Sequence, residues 1–213
     1  MNQIFTVGHS TQPLESFIAL LKRHRIEVIA DVRSRPYSAR FPHFSKEALQ
    51  HSLKNAGVRY VFLGRELGAR REERECYING QAVYMRIAQL RTFAEGINRV
   101  LTGALSFRVA LMCAEQDPLT CHRTILVCHQ IKHHGVSIQH IGRSGALEAH
   151  EQAERRLVAE EIGRLDQGDM FDGRCEFAQI LETAYAQRAQ HIAYTEAKPA
   201  DDHSHDRIHT EIR

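Results

Sequence analysis

Several common sequence signatures are missing from this chain of 213 residues, and each absence excludes a class of protein. No apolar run approaches the roughly 18 residues that a membrane-spanning helix requires, so we expect no membrane association through a transmembrane segment. Neither Gly-x-x-x-x-Gly-Lys-Ser/Thr nor Gly-x-Gly-x-x-Gly occurs, which disfavours nucleoside triphosphate hydrolysis and dinucleotide redox chemistry. We therefore expect no cofactor of these kinds.

The chain also has little net charge and few cysteines. A net charge of +2 is too small to imply polyanion binding, so a nucleic-acid site needs support from a local cluster. The five cysteines are odd in number and irregularly spaced, which favours reduced thiols over a disulfide framework. Cys76, Cys128 and Cys175 are interpreted as packing or surface residues. The first residues lack the features of a secretory signal, so we expect a cytoplasmic location.

Apolar segments that are typical of strands alternate with segments of helical periodicity along most of the sequence. The predicted strands are residues 4–8, 28–32, 59–64, 107–113 and 136–141. The predicted helices are residues 14–22, 45–57, 84–101, 120–134, 147–165 and 176–187. Thr11 or Ser10 can cap the first of them, and the highly charged segment 65–80 is predicted to leave the sheet. This alternation predicts a single α/β domain over residues 1–193, with a mostly parallel sheet of about five strands flanked by helices. Residues 194–213 have few large apolar side chains and are predicted to be a disordered tail.

Polar residues that could bind a ligand or take part in catalysis follow four of the predicted strands. In a mostly parallel α/β sheet, ligands bind in the crevice at the carboxyl ends of the strands. The residues gathered there are His9, Asp31, Arg33, Gly64, Cys113, Glu115 and residues 121–123. These residues are distant in sequence, and we expect them to share one edge of the sheet.

The stretch Thr120-Cys121-His122-Arg123 is predicted to open a helix directly after the fourth strand. Unpaired N–H groups and the helix dipole favour an anion at such a position. Adjacent residues of a helix point about 100° apart, so at most two of the residues 121–123 can face one ligand atom. A Cys–His pair made from these neighbours is therefore disfavoured.

Arginine is well suited to hold an anion at this edge, because its guanidinium group forms two parallel hydrogen bonds to phosphate or carboxylate. The predicted anion ligands are Arg33, Arg40 and Arg123. Alternatively, Arg33 or Arg123 pairs with Asp31 or Glu115 and holds the loops together. The two roles are compatible where the carboxylates orient the arginines. The other predicted ligand-binding residues are Ser10, Cys113 and His122.

Four residues are candidates for catalysis, and each has a structural alternative. Cys121 at a helix N-terminus would have a lowered thiol pKa and could act as a nucleophile, or it packs as a small core residue. Asp31 and Glu115 could act as general acid and base if their pKa values differ, or they form ion pairs with arginine. His9 could shuttle a proton, or it could hydrogen-bond at the strand end.

Two further site types were weighed. The spacing of Cys113, Cys121 and His122 fits no usual zinc motif, so no native metal is predicted. Histidines 203, 205 and 209 could capture adventitious metal ions without function. The basic and aromatic segment 33–44 could contact nucleic acid through arginine and stacked rings, or its aromatic residues anchor the loop to the core.

Five short motifs together resemble the family catalogued as domain of unknown function 488. They are Gly8-His-Ser-Thr11, Asp31-Val-Arg33 with Pro36, Ser38 and Arg40, Leu63-Gly64, Cys113-Ala-Glu115 and Cys121-His-Arg123. They cover about the first two thirds of the chain, and Arg65 stands where the family-like turn has a second glycine. The resemblance implies an α/β domain and a shared polar site, and it implies no reaction.

The leading hypothesis is an enzyme-like domain that binds a phosphate-bearing small molecule, nucleotide or nucleic acid at the carboxyl edge of the sheet. Two alternatives stay open at this point. One is a non-catalytic module that binds nucleic acid or protein, and the other is a thiol-dependent enzyme that uses Cys121. The sequence alone does not decide whether the domain is catalytic.

Overall fold

A six-stranded sheet forms the centre of the computed structural model, which describes residues 2–163 and 174–196. Its strands are β1 (Gln3–Gly8), β2 (Val28–Asp31), β3 (Arg59–Phe62), β6 (Val109–Cys113), β7 (Ser137–Ile141) and β8 (Leu147–Ala149). Their order is β3-β2-β6-β1-β7-β8. All neighbours are parallel except β7 and β8, which are antiparallel. The predicted α/β class and mostly parallel sheet are confirmed.

Helices cover both faces of this sheet. They are α1 (Leu14–Arg23), α2 (Lys46–Asn55), α3 (Gly64–Leu67), α4 (Tyr84–Ala88), α5 (Arg91–Ala104), α6 (His129–Ile131), α7 (His150–Glu161) and α8 (Arg174–Ile192). A separate two-stranded hairpin, β4 (Tyr77–Ile78) and β5 (Gln81–Ala82), begins at the end of the segment 65–80, which was predicted to leave the sheet. In the described part of the chain, no helix has the length and apolar character needed to cross a membrane.

The two faces of the sheet have separate cores, because strand side chains alternate between faces. Phe5, Val7 and Met112 point to the face covered by α1 and α2. Ile4 and Leu111 point to the opposite face, which is covered by α5, α7 and α8 together with the residues around α6. β2 and β6 are buried along their whole length, which explains the continuous apolar character of their sequences.

Three predicted elements differ in the structure. The helix predicted over residues 84–101 is two helices, because Leu90 adopts an extended conformation between them. Leu147 lies in β8 and not in a helix, so α7 begins at His150. Neither Ser10 nor Thr11 caps α1, whose N-cap position is Pro13. Apolar spacing continues through such breaks, so it does not reveal them.

The helix predicted to open at Thr120 begins later. Residues Pro118–Thr120 form a 3₁₀ turn capped by Asp117, whose carboxylate accepts a hydrogen bond from the Leu119 N–H group. Cys121 is extended, with φ −137° and ψ 139°. A π-helical turn, Arg123–Cys128, then leads through α6 into a second 3₁₀ turn that ends at Gly135 in the left-handed region. Cys121 therefore precedes the helical segment 123–134.

The predicted tail begins with residues that belong to the fold. The Tyr194 carbonyl accepts a hydrogen bond from the Ala82 N–H group, and the Glu196 N–H group donates to the Gly80 carbonyl. These bonds attach residues 194–196 to the β4–β5 hairpin. Residues 197–213 lie outside the described residues, so the prediction of a disordered tail there stays a prediction.

Candidate functional site

A cavity of about 510 Å³ lies at the carboxyl ends of β1, β2 and β6, where sequence reasoning placed the site. Among the predicted residues, His9, Arg33, Cys113, Glu115, Cys121 and His122 line it. Four others, Ser10, Asp31, Arg40 and Arg123, do not. The cavity thus lies at the predicted edge of the sheet.

The floor of the cavity contains Cys113, Cys121 and His122, which we call the thiol–imidazole cluster. His122 Nδ1 lies 3.6 Å from Cys113 Sγ and 4.0 Å from Cys121 Sγ. His122 Nε2 donates to the Val32 carbonyl at 2.9 Å, which fixes the orientation of the ring. Three groups that can exchange protons or coordinate a metal therefore converge on one point.

Cys121 and His122 face the same site because Cys121 is not helical. The 100° separation of helical neighbours does not apply to an extended residue, so the argument against a Cys–His pair was wrong. Cys113 reaches the same place as the last residue of β6, whose carbonyl accepts the His9 N–H group at 3.0 Å. Two different elements thus build the cluster.

The environment of the two thiols is unequal. Burial and the adjacent Cys121 raise the pKa of Cys113 well above its ordinary value. Burial alone would raise the pKa of Cys121, but a hydrogen bond with Cys113 and the charges of Arg123 and His122 hold it well below. The Arg123 N–H group also donates to Cys121 Sγ at 3.4 Å. Cys121 is therefore the more acidic thiol of the pair.

Arg33 lines one wall of the cavity and is held in place by Asp31. The carboxylate of Asp31 accepts the Arg33 Nε–H at 2.9 Å and the Nη2–H at 2.6 Å, and it also accepts the Tyr60 hydroxyl at 2.7 Å. Asp31 is fully buried and paired, so this geometry does not support its predicted role in general acid–base catalysis. Three of the five guanidinium donors of Arg33 are occupied, since Nη1 donates to His9, and two are left for a ligand.

His9 also has both ring nitrogens engaged. Nε2 accepts from Arg33 at 3.1 Å, so Nδ1 carries the hydrogen and donates to the Ser10 carbonyl at 3.0 Å. The ring stacks on Phe44 with a centroid separation of 4.2 Å. Burial, followed by the charge of Arg33, lowers the pKa of His9 to about 4. His9 is thus a neutral group that positions Arg33, and this geometry does not support a proton shuttle.

Arg123 is almost completely buried and points away from the cavity. Its Nη1 and Nη2 groups donate to the carbonyls of Glu115 and Gln116 at 2.6 and 3.0 Å. This geometry supports the structural alternative over the predicted anion clamp, with backbone carbonyls rather than the Glu115 carboxylate as partners. Arg123 therefore supplies hydrogen-bond donors to two backbone carbonyls of the loop after β6.

The other two residues outside the cavity have local roles. Arg40 is exposed and lies over the ring of its neighbour Phe41, with its guanidinium carbon 5.4 Å from the ring centroid. Ser10 has a left-handed backbone with φ 48°, and its N–H group donates to the Ala114 carbonyl at 2.8 Å. Ser10 thus contributes through its backbone to the contact between the loops after β1 and β6.

Several cavity residues were not among the predicted site residues, although Arg35 lies in the basic and aromatic segment 33–44 that was predicted as a possible nucleic-acid contact. Arg35 and Arg70 line the cavity, are exposed, and form no ion pair with any carboxylate in residues 2–163 or 174–196. Arg70 lies over the Tyr194 ring, with its guanidinium carbon 4.5 Å from the centroid. Arg35 follows β2, so the strand-end rule could have found it, whereas Arg70 follows α3 and had no such signal. Tyr84 and Tyr194 come from distant segments and gave no local signal.

The predicted aromatic loop divides into two parts. Phe44 is fully buried and packs against Phe17 with a ring separation of 5.4 Å, as the anchoring alternative requires. Tyr37 is 75% exposed and stands among the residues that line the cavity. Of the three predicted stacking residues of this loop, Tyr37, Phe41 and Phe44, Tyr37 is the one that lines the cavity.

Comparison with known proteins agrees with the resemblance. No curated protein and no solved structure matches the chain. The model of the family described as "Domain of unknown function DUF488" matches residues 13–129, which is more than half of the chain. This range includes the Asp31-Val-Arg33, Cys113-Ala-Glu115 and Cys121-His-Arg123 motifs, and hence the thiol–imidazole cluster. The chain therefore belongs to the DUF488 family.

Proposed function

We propose that the chain binds a phosphate-bearing small molecule in the strand-end cavity and acts on it there. The observation that carries this proposal is the charge of the cavity lining. Arg33, Arg35 and Arg70 line the cavity together, and Glu115 is the only carboxylate among the described lining residues. A concave surface with excess positive charge concentrates anions, and guanidinium groups bind phosphate oxygens in pairs.

The size of the cavity favours a small ligand. Its volume of about 510 Å³ falls within the range of roughly 300–1,000 Å³ that is usual for small-molecule sites. The exposed ring of Tyr37 beside Arg35 offers a stacking surface next to a phosphate-binding group. This combination suits a mononucleotide, with its phosphate on the arginines and its base on the ring.

An enzymatic role is supported by what lies beneath the arginines. The thiol–imidazole cluster faces the same cavity, so a ligand held by Arg35 and Arg70 would contact reactive groups. A cavity that combined binding groups with an inert floor would favour a simple binding module.

The test is isothermal titration calorimetry with inorganic phosphate and a nucleoside monophosphate as probes. The double variant Arg35→Ala/Arg70→Ala should weaken binding of both probes at least tenfold, because each lost charged hydrogen bond contributes about 1.5–3 kcal/mol. The matched control is Arg40→Ala, which removes an exposed arginine of the same loop that does not line the cavity. We expect the control to bind normally and all variants to melt within a few degrees of the parent chain.

The exposed Arg40 favours one other candidate function, which is binding of nucleic acid across the outer surface of the loop. In that case Arg40→Ala would weaken binding as much as the double variant, and affinity for a single-stranded oligonucleotide would fall steeply with salt. That outcome, or failure of both small probes to bind the parent chain at millimolar concentration, would contradict the small-molecule proposal.

A further inference from the structure

The thiol–imidazole cluster has the composition and dimensions of a metal site. The ligand atoms of Cys113, Cys121 and His122 all lie within 4.8 Å of one another. Thiolate sulfur and imidazole nitrogen are the ligands that zinc prefers. Among the described residues, this is the only group of three or more Cys, His, Asp or Glu side chains found to converge in this way.

The two sulfur–nitrogen separations are close to those of tetrahedral zinc coordination. Zinc–sulfur bonds of about 2.3 Å and zinc–nitrogen bonds of about 2.05 Å at tetrahedral angles place sulfur and nitrogen about 3.6 Å apart. The two observed separations from His122 Nδ1 are 3.6 Å to Cys113 Sγ and 4.0 Å to Cys121 Sγ. All three ligand atoms lie within 4.8 Å of one another, so side-chain shifts of at most about an ångström would place them around one metal ion.

The orientation of His122 is the one that metal-bound histidines adopt. Its Nε2–H group donates to the Val32 carbonyl at 2.9 Å, and its Nδ1 atom faces the two sulfurs. Metal-bound histidines almost always donate their second N–H group to a carbonyl or carboxylate, which fixes the tautomer and the ring. The Val32 carbonyl, directly after β2, is therefore the hydrogen-bond acceptor that holds the ring in this orientation.

A nucleophilic cysteine would explain only part of this arrangement. A Cys–His pair requires one thiol, yet two thiols approach the same imidazole nitrogen here, and the closer one is Cys113. A metal site uses all three side chains. Within the described residues no fourth Cys, His, Asp or Glu belongs to the converging group, although the Glu115 carboxylate interacts with both thiols, and the cluster lines the cavity.

The geometry points to a zinc ion bound by Cys113, Cys121 and His122, with its fourth position open to the cavity. Three protein ligands and one open position are typical of catalytic zinc, whereas structural zinc has four protein ligands. The open position would take water or a ligand oxygen. Metal binding at this site does not depend on the phosphate proposal, so the two can fail separately.

Cobalt substitution tests the site directly. The full chain, freed of metal with a chelator under reducing conditions, is titrated with Co²⁺ in buffer without phosphate. We expect one Co²⁺ per chain to produce the intense visible bands of a tetrahedral site together with near-ultraviolet cobalt–thiolate charge-transfer bands. Zinc should then abolish both. Adding inorganic phosphate to the cobalt form should shift the visible bands if the open position faces the anion site.

Variants locate the ion. Cys113→Ser, Cys121→Ser and His122→Ala should each weaken zinc affinity at least about 100-fold, since loss of supporting residues alone costs 10–100-fold. Cys128→Ala is the matched control, because Cys128 is buried in the helical segment 123–134 but does not belong to the cluster. Melting curves of the metal-free proteins establish that each variant folds.

Two outcomes would overturn the proposal, and both are measured on the parent chain. Absence of charge-transfer bands would show that no thiolate binds the ion. This would also be the result if cobalt bound only to histidines 203, 205 and 209. Rapid alkylation of Cys121 at neutral pH that stoichiometric zinc does not slow would instead identify a free nucleophilic thiol. If the bands form but phosphate leaves them unchanged, the metal site stands and its link to the anion site fails.

Discussion

Two polar regions lie on either side of the residue pair His122–Arg123, and they differ in how their titratable side chains are partnered. The thiol–imidazole cluster presents its groups to a cavity. On the side of β7, a histidine network of Thr6, His140, His150, Tyr185 and Glu154 joins its polar atoms to other groups of the protein. His122 and Arg123 are adjacent in sequence, yet the first belongs to the cluster and the second contacts the network through Thr6.

The hydrogen bonds of the histidine network run in one direction. The Tyr185 hydroxyl donates to Glu154 at 2.9 Å, so it accepts from His150 Nε2 at 3.2 Å. His150 Nδ1 then accepts from His140 Nε2 at 3.1 Å, and His140 Nδ1 accepts from the Thr6 hydroxyl at 2.8 Å. Both histidines are neutral with the hydrogen on Nε2. A buried network in which each member has a partner stabilises the fold and leaves no group for a ligand.

This difference teaches how to separate structural from functional polar residues at a strand end. Residue type does not distinguish them, because both regions contain histidine and both are contacted by arginine. The distinction is whether donors and acceptors are already satisfied by the protein. Arg123 and Asp31 are satisfied, whereas Arg35, Arg70 and the thiol–imidazole cluster have capacity left for a ligand.

The largest expected effect comes from replacing the satisfied arginine. Arg123→Met should lower the free energy of unfolding by about 3 kcal/mol, because it leaves the carbonyls of Glu115 and Gln116 without donors. Urea denaturation followed by circular dichroism measures the loss. Arg35→Met, at the cavity rim, should change stability by less than about 0.5 kcal/mol. Equal effects of the two variants would remove the distinction between the regions.

The fold was largely predictable because its strands carry strong signals. β2 and β6 are continuous apolar runs, and each is followed by turn residues and then by helical periodicity. The strand-end rule then located the cavity. The role of Arg123 was not predictable, since its partners are backbone carbonyls of the loop that precedes it, and backbone positions have no sequence signature.

The thiol–imidazole cluster shows a second limit of sequence reasoning. Its ligand spacing matches no metal motif, because one cysteine ends a strand and the other follows a 3₁₀ turn. The assumption of a regular helix from Thr120 separated Cys121 from His122, whereas the extended backbone of Cys121 brings them together. A single residue's backbone conformation thus decided whether the site could be recognised.

An intermediate effect on the free energy of unfolding is expected at low pH, and it arises from the histidine network. Burial lowers the pKa of His140 well below its ordinary 6.5 and also lowers that of His150. Below pH 6.5 the unfolded chain binds protons that the folded chain does not, so the free energy of unfolding falls as the pH falls. Each such proton contributes up to about 1.4 kcal/mol per pH unit.

The variant His150→Gln should make the free energy of unfolding less dependent on pH. The slope should fall by up to about 1.4 kcal/mol per pH unit, which corresponds to one proton. Urea unfolding at several pH values between 7.5 and the onset of acid unfolding gives the slope in both proteins. The matched control is His51→Gln, an exposed histidine on α2 that should leave the slope as it is. An unchanged slope in His150→Gln would mean that the network tolerates a charged histidine, and the contrast with the open cluster would weaken.

The smallest expected effect concerns the exposed ring of Tyr37 at the cavity mouth. It tests whether a residue of the open cavity contributes to ligand binding without contributing to stability. Tyr37→Ala removes a side chain that is 75% exposed, so stability should change by less than about 0.5 kcal/mol. Stacking of a base on an aromatic ring contributes about 1–3 kcal/mol, so affinity for a nucleoside monophosphate should fall at least fivefold. Affinity for inorganic phosphate should not change, because phosphate has no base to stack. Calorimetry with both probes separates the two cases, and an equal loss for both would assign Tyr37 to the architecture of the loop.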